Sequence, residues 1–130
     1  MYVLDTNTLI YFFKGLGNVA QNLWQRSPQE IKIPAIVLFE LEVGIAKSTS
    51  PKKRAGQLKE LTSRVQVLPF GDQEARSAAM IRVQLEKKGT PIGPFDILIA
   101  GTAQANHATL VTHNTAEFAR IKNIRLEDWY

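Results

Sequence analysis

The chain contains no cysteine, which excludes disulfides, thiolate nucleophiles and zinc–thiolate centres and fits a reducing, cytoplasmic setting. It has only two histidines, His107 and His113. They do not stand at ligand spacing on one helix, and there is no His-Glu-x-x-His motif. A Gly-x-Ser-x-Gly elbow and a P-loop are also missing, and no Gly-x-Gly-x-x-Gly follows the first strand, so serine hydrolase, nucleotide-triphosphate and dinucleotide chemistries lose their usual signatures. Long apolar runs are absent. The longest, Ile33 to Phe39, falls far short of the ~20 residues that span a bilayer. The start has no basic region, and Asp5 interrupts its apolar residues, so no secretory leader and no membrane association are expected. Without internal repeats, linkers or low-complexity segments, the 130 residues read as one domain, 1–130.

Hydrophobic residues make up 45% of the chain and charged residues 22%, enough to bury a core. The formal net charge is +4, which favours a polyanionic or acidic partner. That excess matters most if the carboxylates are gathered in one place and leave the remaining surface more basic.

Short β-prone runs alternate with helical patterns. Strands are expected at Tyr2–Leu4, Ile31–Ile33, Val65–Phe70 and Thr109–Thr112, with a last one near Arg125–Glu127. Helices are expected at Thr6–Lys14, Val19–Arg26, Ala35–Lys47, Lys52–Arg64, Asp72–Lys88, Phe95–Ala105 and Thr115–Arg120. Pro34 suits the first turn of the third helix. That helix is apolar almost all round, which predicts extensive burial, and Trp24 is expected to be partly buried. The alternation argues an α/β fold with a small parallel sheet of four to five strands and helices on both faces. Such sheets bind ligands beyond the carboxyl ends of their strands.

Three carboxylates stand in apolar surroundings: Asp5 at the end of the first strand, Glu40 mid-helix between Phe39 and Leu41, and Asp96 before Ile97-Leu98-Ile99. Asp5 also fits a helix N-cap, and Asp96 fits the acidic first turn of a helix. Glu40 has no such local explanation. Lys47 lies two turns away, roughly 10 Å along the axis, and Glu42, on another face, is expected to be the more solvated. Three acids in one cleft would repel one another and raise each other's pKa, and a divalent cation reverses that cost. Oxygen donors without histidine or thiolate favour magnesium or manganese. His107 reads as an exposed loop residue, and His113 lies near the expected cleft.

Asp5-Thr6-Asn7, Glu40-Leu41-x-x-Gly44, Pro91-Ile92-Gly93-Pro94-Phe95-Asp96-x-x-Ile99-Ala100, Val111-Thr112-x-Asn114-x-x-Glu117-Phe118 and the ending Leu126-Glu127-Asp128-Trp129 resemble the PIN-domain ribonucleases. More narrowly, they resemble the VapC toxins of bacterial type II toxin–antitoxin systems. The resemblance covers essentially the whole chain. It implies a PIN fold and a Mg2+- or Mn2+-dependent endoribonuclease acting on RNA, particularly tRNA. It also implies a homodimer neutralised by a VapB-type antitoxin. The family's acids map onto Asp5, Glu40 and Asp96 as catalytic residues, with Asp5 and Asp96 as metal ligands. A fourth family position, often Asp, is Asn114 here, and Glu117 one turn later can supply the missing carboxylate. Thr6, Asn7 and Thr112 match positions that orient the acids or a bound water. Lys47, Lys52, Lys53 and Arg54 form the densest basic cluster and are candidate RNA contacts. A second basic group is Arg82, Lys87 and Lys88.

Two other readings compete. A non-catalytic PIN-like module would bind RNA or protein without cutting, and the Asn114 substitution favours it. A phospho-accepting domain would use Asp5 as nucleophile, but haloacid-dehalogenase-like enzymes want a second Asp two residues on, where this chain has Asn7.

Overall fold

The computed structural model describes residues 1–130. Five strands form one parallel sheet in the order β3-β2-β1-β4-β5: β1 Tyr2–Leu4, β2 Ile31–Pro34, β3 Gln66–Leu68, β4 Thr109–Val111 and β5 Leu126–Glu127. The helices between them are α1 Thr6–Lys14, α2 Val19–Trp24, α3 Ala35–Lys47, α4 Pro51–Thr62, α5 Asp72–Lys87, α6 Pro94–Ala105 and α7 Thr115–Phe118. A single 3-10 turn, Pro28–Glu30, leads into β2.

The strand order decides where chemistry can occur. The chain starts in the middle of the sheet, builds outward through β2 and β3, then crosses back to lay β4 on the other flank of β1. Right-handed crossovers in opposite directions place helices on opposite faces of the sheet. They also open a crevice between β1 and β4 at their carboxyl ends, the usual ligand site of such sheets. Register pairs Leu4 with Val111, so Asp5 and Thr112 emerge side by side. The Asp5 N–H donates to the Val111 carbonyl at 3.1 Å, extending the pairing one residue into the crevice.

The strands are short, but Val3, Leu4, Ile33, Leu110 and Val111 are fully buried, and Ile31 nearly so. Side chains alternate across a sheet, so these residues seal both faces. The closest helix packing is between α5 and α6. A Cβ added at Gly101 would lie 2.7 Å from the Ala78 methyl, so the backbones touch where two small residues meet.

Several boundaries differ from the sequence expectation for identifiable reasons. Pro34 belongs to β2, opposite Leu68. With φ −60 and ψ 144 it is extended, and it caps α3 from outside rather than forming its first turn. Helix α2 stops at Trp24, two residues early, and α7 is a single turn ending at Phe118. Helix α3 is not buried all round. Val37 and Leu41 face the core, while Phe39 and Val43 remain 51% and 39% exposed. Its apolar residues are spread around the circumference, but a helix in an outer layer has only one face against the core. Trp24 is also mostly exposed, resting edge-on against Phe12 with the Arg64 guanidinium 5.8 Å from its ring.

Candidate functional site

Asp5 is the N-cap of α1. Its Oδ1 accepts the Thr8 backbone N–H at 2.9 Å, the bond expected of a capping aspartate. The cap accounts for one oxygen but not for the environment. Asp5 is 5% exposed, among the few buried polar residues. Burial raises its pKa against the opposing hydrogen bonds from Thr112 and Thr8, and the nearby Asp128 charge pushes the same way as burial. The hydroxyl of fully buried Thr112 also accepts the Asn114 N–H at 3.0 Å, which fixes the turn that follows β4. Thr8 ties the other side, its Oγ1 donating to the Val111 carbonyl at 3.2 Å. Two buried threonines, one in the first turn of α1 and one at the end of β4, therefore fix the carboxylate.

Glu40 reaches the same edge from α3. The Thr6 hydroxyl donates to its Oε1 at 2.7 Å, so the residue after Asp5 holds the second acid. Glu40 is half-buried and Glu42 exposed, as expected. Its setting is less enclosed than the surrounding sequence implied, since Phe39 and Val43 open onto solvent.

Asp96 enters from the first turn of α6. Its pKa is raised from 3.8 to about 6, first by burial and then by the charges of Glu117, Asp5 and Glu40, in that order. Every charged neighbour that shifts Asp96 is another carboxylate. Four acids from four separate segments thus share one field. Glu117 acts most strongly of the three, and its Oε2 accepts from the Asn114 side-chain amide at 2.8 Å. Asn114 supplies no charge but holds the residue that does.

The donor set consists of hard carboxylate oxygens, the kind that magnesium and manganese take. Mutual repulsion of like charges, already felt by Asp96, is the cost a divalent cation removes. The four residues fit such an ion by chemistry and charge, although no three of them form a closed ligand cluster as the side chains stand.

The expected basic residues divide. Lys47, Lys52 and Lys53 are exposed, and none pairs with a carboxylate. Arg54 instead lies back against α1, its Nη1 donating to Gln57 Oε1 at 2.9 Å and to the Phe13 carbonyl at 3.4 Å. With Lys14, Ile10 and Leu41 it lines a cavity of about 250 Å3 whose wall includes Glu40. Asn7 is exposed next to the capped turn and makes no side-chain hydrogen bond.

Two participants lie outside the sequence expectations, Thr8 and Asp128. Asp128 belonged to a recognised ending without a role, yet its charge reaches Asp5. His113, expected near the cleft, hydrogen-bonds Asp128 through Nδ1 at 2.9 Å and stacks on Tyr130. The polar signal for Thr8 was visible, but nothing local announces that it meets β4.

Comparison with known proteins gives the family. The family model described as PIN domain matches residues 2–124. The chain is 38% identical over 128 residues to the tRNA(fMet)-specific endonuclease VapC of Salmonella typhimurium, covering 98% of this chain and 97% of that one. The chain belongs to the VapC ribonucleases of the PIN-domain family. It is also 36% identical to the Ribonuclease VapC2 of Rickettsia felis over 99% of its length and 98% of that relative's. A crystal structure of VapBC2 from Rickettsia felis bound to a promoter DNA fragment superposes with a TM-score of 0.92 at 37% identity, covering 99% of this chain and 98% of that chain.

Proposed function

We propose that this chain is a Mg2+- or Mn2+-dependent endoribonuclease, the toxin of a type II toxin–antitoxin pair, with Asp5, Glu40, Asp96 and Glu117 as its acidic centre. The observation that carries the reading is the shared field of these four carboxylates at the β1–β4 switch point. Asp5 and Asp96 would hold the cation, with Glu40 and Glu117 completing its surroundings. When bound, such an ion supplies positive charge at a scissile phosphate and lowers the pKa of water near it.

The chain's own residues set the stage for phosphodiester hydrolysis. Thr112 and Thr8 fix the Asp5 carboxylate, so it need not reorganise as charge develops. Thr6 orients Glu40, and Asn114 orients Glu117. Exposed Lys47, Lys52 and Lys53 suit phosphate contacts along an RNA backbone.

Relatives named for tRNA(fMet) cleavage and for complexes with an antitoxin support tRNA as substrate and a VapB-type protein as inhibitory partner. A cytoplasmic setting is part of the same reading. No helix of the chain is long and apolar enough to cross a membrane. The exposed rings of Phe39 and Phe95 meet at 5.7 Å directly beside Glu40 and Asp96, an apolar patch that supports a homodimer.

The test is cleavage of total RNA by purified protein with magnesium titrated in, followed by mapping of the new ends. Cleavage at discrete positions, absent from the Asp5→Asn variant, is the expected result. An intact RNA pool at every magnesium concentration would instead favour a module that binds without cutting, the reading favoured by Asn114 at the fourth family position.

A further inference from the structure

Beside the acidic centre lies a three-ring cluster that the hydrolytic chemistry does not use. His113 immediately follows Thr112, and Tyr130 stacks on its ring at 4.3 Å and 22°. Tyr11 of α1 meets both edge-on, at 4.9 Å from Tyr130 and 5.9 Å from His113. The cluster is built rather than incidental. Asp128 accepts the His113 Nδ1–H at 2.9 Å and fixes the imidazole's rotation. Burial, acting to raise the Asp128 pKa, is outweighed by the Tyr130 N–H and by His113, so the carboxylate is held below its usual range and serves as acceptor. The Tyr130 carbonyl accepts both the Asn18 N–H at 2.7 Å and its side-chain amide at 3.1 Å. Gly17, at φ +61, leaves the space that ring needs, since a Cβ there would lie 2.8 Å from Tyr130 Cγ.

These rings nonetheless stay open to solvent. Tyr130 is 43% exposed and the His113 side chain 47%. An aromatic cluster serving only to close the core would be covered, as Trp129 next door is at 3%. Protein faces that read unpaired RNA do so by stacking bases on aromatic and histidine rings. The distance to the chemistry is short, because Thr112 bonds Asp5 and the Asp128 charge reaches that same carboxylate.

We propose that His113 and Tyr130, backed by Tyr11, form a stacking platform for one unpaired base of the RNA next to the scissile phosphate. This rests on the ribonuclease reading. The platform selects a single-stranded nucleotide at the cut and excludes a base held in a continuous duplex, which offers no free face. Asp128 and Gly17 are positioning residues, acting through His113 and Tyr130.

The test uses Asp5→Asn protein, in magnesium, with short single-stranded RNAs carrying 2-aminopurine at successive positions. Quenching confined to one or two adjacent positions is expected, together with about tenfold weaker binding and loss of that quenching in Tyr130→Ala and His113→Ala. Tyr130→Phe, which keeps the ring, retains both. Tyr130→Leu fills the space without a π face and behaves like the alanine variant, which guards against a collapse of the chain end. Melting curves of all variants serve as the folding control. Quenching that is absent, uniform along the RNA or unchanged in Tyr130→Leu and His113→Ala overturns the proposal. Cleavage by the otherwise wild-type enzyme separates the two claims. Active enzyme whose His113→Ala and Tyr130→Leu forms keep the same KM and cut sites removes the platform alone. Wild-type protein that quenches at discrete positions but cuts nothing removes the nuclease reading and leaves the platform.

Discussion

Replacing Asp96 with Asn should abolish catalysis and stabilise the fold, and the structure gives the size of the gain. The Asp96 carboxyl titrates at about 6 in the folded chain against an ordinary 3.8. Because the folded pKa is the higher, the native state resists ionisation. The penalty is absent below about pH 4, grows between there and about 6, and is complete above. About two pKa units at ~1.4 kcal/mol each set a ceiling of about 3 kcal/mol. Asp96 is only half-buried, so solvent screening brings the expected gain to about 1–2 kcal/mol. For a domain of this length that is a rise in Tm of roughly 3–10 °C. The assay is thermal denaturation followed by circular dichroism in metal-free buffer at pH 7.5 and at pH 4. Asp96→Asn should melt higher than wild type at pH 7.5 and together with it at pH 4. Added magnesium should close the gap at pH 7.5 by stabilising wild type more than the variant. Equal melting temperatures at pH 7.5, or a gap that persists at pH 4, would refute the claim that repulsion and burial load this carboxylate.

Further outcomes follow from the same geometry. Glu117→Gln removes the largest charge acting on Asp96, so the Asp96 carboxyl should titrate lower, read by carbon-13 NMR in metal-free buffer. Thr112→Val deletes the leading hydrogen bond that restrains the Asp5 pKa. That carboxyl should titrate still higher, with cleavage slowed by about tenfold or more. Asp5→Asn should keep most of the α1 cap, whereas Asp5→Ala should cost about 1 kcal/mol more in urea unfolding. Gly101→Val forces a side chain into the Ala78 backbone and should destabilise the chain by roughly 1–3 kcal/mol or more, with no change in metal affinity while folded.

The alternation of strands and helices was legible because each element is short and ends at a turn residue or a cap. Asp5 at the end of β1 was legible for the same reason, and so was its capping of α1. Convergence was not. Glu40 comes to this edge because β2 pairs beside β1, and Asp96 because the chain reverses direction after β3 and returns to the other flank of β1, tertiary facts with no local signal. The apolar run of α3 misled in degree, since composition counts apolar residues but not the direction in which they point. Glu117 could be placed only through family resemblance, because an acid on a short polar helix looks like any solvated residue. Thr8 carried still less signal, for its role is defined by β4, 103 residues further along the chain.

The central claim is that four carboxylates from separate segments serve one divalent cation. Manganese binding followed by electron paramagnetic resonance tests it most directly, using wild type, Asp5→Asn, Glu40→Gln, Asp96→Asn and Glu117→Gln, with exposed Glu42→Gln as control. A single class of site, weakened about tenfold or more in Asp5→Asn and Asp96→Asn, less in Glu40→Gln and Glu117→Gln, and untouched in Glu42→Gln, is the predicted result. Manganese affinity that is the same in wild type, Asp5→Asn and Asp96→Asn would contradict it.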